Sequence, residues 1–237
     1  MLPNFMLLSD AEWDVLLLSA QVGLCATLLC ALPGIFFGWL LARKEFFAKP
    51  ALEAVLYMPM VLPPTVPGYL LLVVFGSQGV AGKWLYDNFG IQLAFNWKGA
   101  VLAAAVIAFP LMVQAAKLSV QMIDRRLELA ASTLGAHPLK VWCTVTLPLM
   151  LPGILIGSIM VFSRSLGEFG ATITFVGNIA GETRTLPLAI YSATHQIDGE
   201  AMAIRLIVIC LALAFFSLLL SNLLTRRAER WLGVRRA

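Results

Sequence analysis

Asp124-Arg125-Arg126-Leu127-Glu128-Leu129-Ala130-Ala131-Ser132-Thr133-Leu134-Gly135-Ala136-His137-Pro138 is a short polar stretch set between long apolar runs. Asp124 suits an N-cap, its carboxylate accepting from the orphan backbone N–H groups of the next turn. Leu127, Ala130 or Ala131, and Leu134 recur at i, i+3/i+4 and i+7, which makes one apolar face. Gly135 suits the left-handed position just past a helix end, and Pro138 blocks continuation. The pattern predicts a helix over residues 125–135. A helix this short has little stability alone, so its apolar face needs a partner. The small alanines on its exposed side let another protein approach closely.

The surroundings of this stretch place it at a membrane. Of the 237 residues, 60% are hydrophobic and 13% charged, and the mean hydropathy is +0.87. Soluble domains are about one-quarter charged, so the composition is that of an integral membrane protein. The formal charge of +4 follows membrane topology and implies no nucleic-acid partner. Cys25, Cys30, Cys143 and Cys210 lie in or beside apolar runs with neither zinc spacing nor a disulfide framework.

Five apolar spans are expected, at about residues 15–42, 55–75, 99–116, 141–163 and 206–225, in one transmembrane domain over 1–237. The start does not read as a signal peptide, because Asp10, Glu12 and Asp14 precede the first run and no basic region does. The second span holds Pro59, Pro63, Pro64 and Pro67. Each proline removes a backbone donor, and lipid offers the freed carbonyls no partner. Such a helix is buried in protein or lines a wet cavity. Pro63, Pro64, Thr65 and Pro67 are therefore candidates for a pathway lining, with a kink used only for packing as the alternative. Residues 77–97, rich in glycine and asparagine, read as a loop with Trp84, Tyr86 and Trp97 as interface anchors.

Arg164 and Glu168, in Ser163-Arg164-Ser165-Leu166-Gly167-Glu168-Phe169-Gly170-Ala171-Thr172, follow the fourth span. At i, i+4 a continuing helix would pair them. Charges at membrane depth cost about 2.5–3.5 kcal/mol each, so they face protein or water. The pair either holds helix direction or stands with Phe169 and Thr172 beside a path. Residues 177–199, punctuated by Gly and Pro, read as a loop with a short helix near 186–194.

Charge sets the expected orientation. Arg43, Lys44 and Lys49, then Lys117, Arg125, Arg126 and Lys140, then Arg226, Arg227, Arg230, Arg235 and Arg236 put 12 of 17 basic residues on one side. That side is cytoplasmic by the positive-inside rule. The N-terminus is then outside, the C-terminus inside, and the 125–135 helix in the cytoplasm.

Two resemblances sharpen this reading. Glu128-x-Ala130-Ala131-x-x-x-Gly135, nine residues, then Val145-x-Leu147-Pro148 resembles the EAA loop of ABC-importer permeases. One departure is visible: the Glu stands one residue early, with Leu129 where that family often has Glu. The resemblance implies an all-α, type I importer (MetI-like) architecture. It also implies a coupling helix docked on a separate cytoplasmic ATPase, with Arg126, Leu127, Glu128, Ala130, Ala131, Leu134, Gly135, Leu147 and Pro148 as its coupling residues.

The second lies in Val61 to Leu72, in Ser163 to Thr172, and in Gly177-Asn178-Ile179-Ala180-Gly181-Glu182-Thr183-Arg184-Thr185-Leu186-Pro187 through Tyr191. These look like the permeases of molybdate importers, with Pro67 where Val is common. The segment around Glu168 is shared with sulfate/thiosulfate and tungstate importers. The implied assembly is a homodimer in a bacterial inner membrane, with two ATPase copies and a periplasmic or lipid-anchored molybdate-binding protein.

No catalysis or cofactor is expected of the chain itself. It holds no Gly-x-x-x-x-Gly-Lys-Ser/Thr loop, and Gly79-Val80-Ala81-Gly82-Lys83-Trp84 lacks both the spacing and the hydroxyl. A passive anion channel would share a polar path but has no use for a docking helix. A membrane-embedded enzyme would need more than Arg164 and Glu168.

Overall fold

The computed structural model describes residues 8–231, and it is helical throughout, with no strand among the described residues. Arg235 and Arg236, counted in the charge asymmetry, lie outside the described residues. The helices are α1 (Asp10–Arg43), α2 (Lys49–Val61), α3 (Thr65–Phe75), α4 (Val80–Phe89), α5 (Trp97–Met122), α6 (Arg125–Thr133), α7 (Pro138–Val141), α8 (Leu147–Leu166), α9 (Gly170–Val176), α10 (Leu186–Thr194) and α11 (Glu200–Trp231). A π-helical turn, Trp142–Thr146, joins α7 to α8. Its cause lies in Pro148, which has no N–H for the carbonyl four residues back and crowds it. The chain widens one turn so that the Leu147 N–H reaches the Trp142 carbonyl instead.

Among the described residues, four single helical runs are long and apolar enough to cross a membrane: Asp10–Arg43, Trp97–Met122, Pro138–Leu166 and Glu200–Leu224. The expected second span is present as a broken pair, α2 and α3, which together are long and apolar enough to cross and are bent by 110°. Leu62, forced to extended backbone by the proline after it, ends α2. Pro63 and Pro64 fill the break, and Pro67 falls in the first turn of α3, where a missing N–H costs nothing. The stretch expected as a loop over 77–97 contains α4. The glycines and asparagines of this stretch hide the helix in the sequence, but Gly82 is what seats it, since a Cβ there would lie 2.1 Å from the Gly76 carbonyl oxygen.

α1, α5 and α8 form the packed centre. α5 buries Ala100, Ala103, Ala104, Ala105, Ala108 and Ala116. Glycines on its neighbours meet it closely. A Cβ on Gly38 would lie 2.5 Å from the Ala116 Cβ, and one on Gly153 would lie 2.4 Å from the Ser119 Cβ. Small residues bring the backbones together where apolar lipid supplies no hydrophobic drive.

At the end of the bundle where α1 starts, buried Glu12 pairs with Arg205 at 2.8 Å, and the Ser19 hydroxyl accepts from the Leu186 N–H at 2.7 Å. These contacts tie the starts of α10 and α11 to α1. α6 lies at the other end, beside Arg43.

Candidate functional site

α6 is built as a self-contained unit. The Asp124 side chain accepts from the Arg126 N–H at 2.9 Å. At the other end Gly135 has φ +81°. The Ala136 N–H donates to the Ala131 carbonyl at 3.3 Å and the Gly135 N–H to the Ser132 carbonyl at 3.0 Å. Both bonds of a Schellman close are present, and glycine supplies the left-handed residue that it requires. His137 then accepts from the Leu139 N–H through Nδ1 and opens α7, with Pro138 in its first turn.

Leu127 is half exposed and Leu134 is 89% exposed, so the apolar face of α6 is unpartnered among the described residues. Arg126 and Ala130 are also exposed, while Ala131 is intermediate. Pro148 is exposed and Leu147 half-buried on the run that follows.

Glu128 behaves differently. Its carboxylate turns toward the body of the chain, where Thr146 Oγ donates to Oε1 at 2.7 Å and Arg43 Nε lies 3.1 Å from Oε2. Arg43 also donates through Nη2 to the Ile123 carbonyl at 3.2 Å, and Arg125 Nη2 donates to the Arg43 carbonyl at 3.4 Å. Sequence reasoning does not find Arg43 or Thr146 as site residues. No local spacing links positions 43, 128 and 146, so only the fold brings them together.

The second group gathers at the bend. Pro63, Pro64 and Thr65 are exposed in the single chain, whereas Pro67 and Thr172, named with them as pathway candidates, are buried. Two glycines seat α3 against α9. A Cβ on Gly68 would lie 2.7 Å from the Ala171 carbonyl oxygen, and one on Gly170 would lie 2.7 Å from the Pro64 Cβ.

Arg164 and Glu168 do pair, but not along a continuing helix: α8 stops at Leu166 and the pair spans a break. Glu168 is 2% exposed and its Oε1 accepts from the Ala171 N–H at 2.9 Å, so it helps to start α9. Arg164 Nη1 stands 2.8 Å from Oε2, a charge contact that lacks the alignment of a directed hydrogen bond. Phe169 stacks against Tyr191 of α10 at 5.3 Å between ring centroids, and Tyr191 against His195 at 4.3 Å. The contact between Phe169 and Tyr191 has no signal in the sequence either, because its members lie on separate elements.

Residues 34–230 match the model of the family described as binding-protein-dependent transport system inner membrane components. The chain belongs to that family. This transport component is 55% identical over 228 residues to the molybdenum transport system permease protein ModB of Escherichia coli K12, covering 96% of the chain and all of that protein. It is 33% identical over 223 residues to the sulfate transport system permease protein CysT of the same organism, covering 94% of the chain and 79% of that protein. Its fold matches solved structures at low identity. A bacterial ABC transporter involved in alginate import aligns at a TM-score of 0.70 with 15% identity, covering 93% of this chain and 80% of that one. The MetNI methionine ABC transporter, in inward-facing conformations, aligns at 0.65 with 15% identity, covering 93% and 99%. The transport component is thus a multi-pass membrane protein of type I importer architecture.

Proposed function

We propose that this chain is the permease subunit of an ATP-driven molybdate importer in a bacterial inner membrane. The observation that carries the reading is the full-length likeness to a molybdenum permease at 55% identity, against 33% for a sulfate permease. ATP hydrolysis belongs to a separate subunit, and two copies of the permease face each other across the path. A molybdate-binding protein delivers the anion from outside, and the basic α6 end lies in the cytoplasm.

α6 is the docking element. Its open face offers Arg126, Leu127, Ala130 and Leu134, and Gly135 fixes the angle at which the chain leaves. Leu147 and Pro148 begin the span that follows. When the ATPase closes on nucleotide it displaces α6, and the spans shift between inward and outward openings. The direction of the shift is set by the difference in how ATPase and binding protein engage the two states.

The path runs past the bend between α2 and α3. The carbonyls of Pro59 and Met60 lose their helical donors, because the residues four positions on are Pro63 and Pro64. Backbone of this kind at membrane depth is tolerated beside water or protein. Pro63, Pro64 and Thr65 offer polar atoms without net charge, so an oxyanion passes without being held. Arg164 and Glu168 neutralise each other nearby and keep the α8–α9 break in shape, with Phe169 packed at its edge.

The test is uptake by proteoliposomes holding the permease, its ATPase and its binding protein. Labelled molybdate should enter with ATP, and unlabelled molybdate should compete better than sulfate. Preferential competition by sulfate would reassign the substrate, and uptake without ATP would favour a channel.

A further inference from the structure

Glu128 sits on the helix that docks the ATPase, yet its carboxylate is committed to its own subunit. Thr146 Oγ donates to it at 2.7 Å from the π turn ahead of α8, and Arg43 Nε lies 3.1 Å away on the last turn of α1. Arg43 is also bonded to the carbonyl of Ile123, at the end of α5, and receives Arg125 on its own carbonyl. One carboxylate thus closes a ring through α1, α5, α6 and the π turn.

The groups are sheltered. Arg43 is 10% exposed at its side chain, Glu128 19%, and Thr146 is buried. Salt and water weaken such a pair less than one on the open surface. The two leucines of the docking face, Leu127 and Leu134, remain outside the ring and exposed.

α6 has nine residues and short connections at each end, 123–124 before it and 134–137 after it. A segment tethered only by its connections would tilt on them when pushed. A lever needs an attachment on the helix itself, and the ring supplies one at Glu128 and Arg125, in the first turn of α6. We propose that Glu128 is a positioning residue that clamps α6 to α1 and α8, so that a displacement of α6 is passed into both spans rather than lost in the loops. The inference rests on α6 being the docking helix, and it gives roles to Arg43 and Thr146, which do not lie on that helix.

The test uses the intact complex of permease, ATPase and binding protein in proteoliposomes, and reads ATP hydrolysed per anion imported. Arg43→Gln and Thr146→Val should keep the ATPase bound and raise that ratio about tenfold, within the range of site-to-site coupling. Thr146→Ser, which restores the hydroxyl, should return it to the wild-type value. Arg43→Gln combined with Glu128→Gln should be no worse than Arg43→Gln alone, since both remove the same contact. A merely structural role would lower the thermal stability of the complex without changing the ratio, and that outcome overturns the proposal. So does a Glu128→Gln variant that sheds the ATPase while Arg43→Gln does not, because the carboxylate would then be contacting the partner. Failure of the wild-type permease to hold an ATPase would strike the docking reading itself, and the clamp with it.

Discussion

Replacing Gly135 with valine isolates the backbone requirement of α6, the helix we propose as the docking element. Its φ is +81°, and a Cβ built there meets no atom within 4 Å. Crowding within the described chain therefore contributes nothing, and the cost to the permease alone is conformational. A left-handed L-residue costs about 1–2 kcal/mol, and a β-branched one falls at the upper end. If the chain relieves that strain by leaving the left-handed region, it gives up the bonds from Ala136 to Ala131 and from Gly135 to Ser132. Each is worth about 0.5–1.5 kcal/mol net. A nine-residue helix has no reserve of that size, so its end and the exposed Leu134 move. Gly90 provides a matched control, with φ +65°, nothing within 4 Å, and a place at the end of α4. In reconstituted transport, Gly135→Val should reduce uptake per ATP about fivefold or more. Gly135→Asn should retain most of it, since asparagine tolerates the left-handed region. Gly90→Val should leave the ratio alone. Full uptake by a well-expressed Gly135→Val variant, or an equal loss in Gly90→Val, would refute the argument.

Two further outcomes follow from the bend. Arg164→Gln leaves the nearly fully buried Glu168 without its counter-charge, and should destabilise the permease more than Glu168→Gln, which keeps an acceptor for the Ala171 N–H. Removing both charges should hurt less than Arg164→Gln alone, and a thermal-shift cycle on the detergent-solubilised complex checks the order. Single cysteines at Thr65 and Val66, in a background lacking Cys25, Cys30, Cys143 and Cys210, should react with small water-soluble maleimides, at a rate that changes when the ATPase is locked with nucleotide. Labelling that never occurs in any nucleotide state would make the bend a dry packing contact.

Local features of this molecule are more legible in its sequence than long-range ones. Asp124, Gly135 and Pro138 act within a few residues, so both ends of α6 can be placed from the chain alone. The four prolines announce a disrupted second span, but not a 110° turn, because the angle is set by Gly68 and Gly170 seating α3 on α9. α4 stays hidden because Gly82 looks like a helix breaker until the carbonyl it packs against is seen. The motif around Glu128 assigns this residue to a docking surface. Its inward turn depends on Arg43 and Thr146, which lie 85 residues before it and 18 after it.

The claim that the permease is driven through α6 is most directly tested by photo-cross-linking from single positions in the assembled complex. A cross-linker at Leu134 reports from the proposed docking face, and one at Ile197 reports from just ahead of α11, by the start of α1. Both side chains are exposed, and the 34 residues of α1 separate the two ends by about 50 Å. Leu134 should capture the ATPase subunit and Ile197 should not. Capture from Ile197, or none from Leu134 in a complex that still hydrolyses ATP and imports the anion, would contradict it.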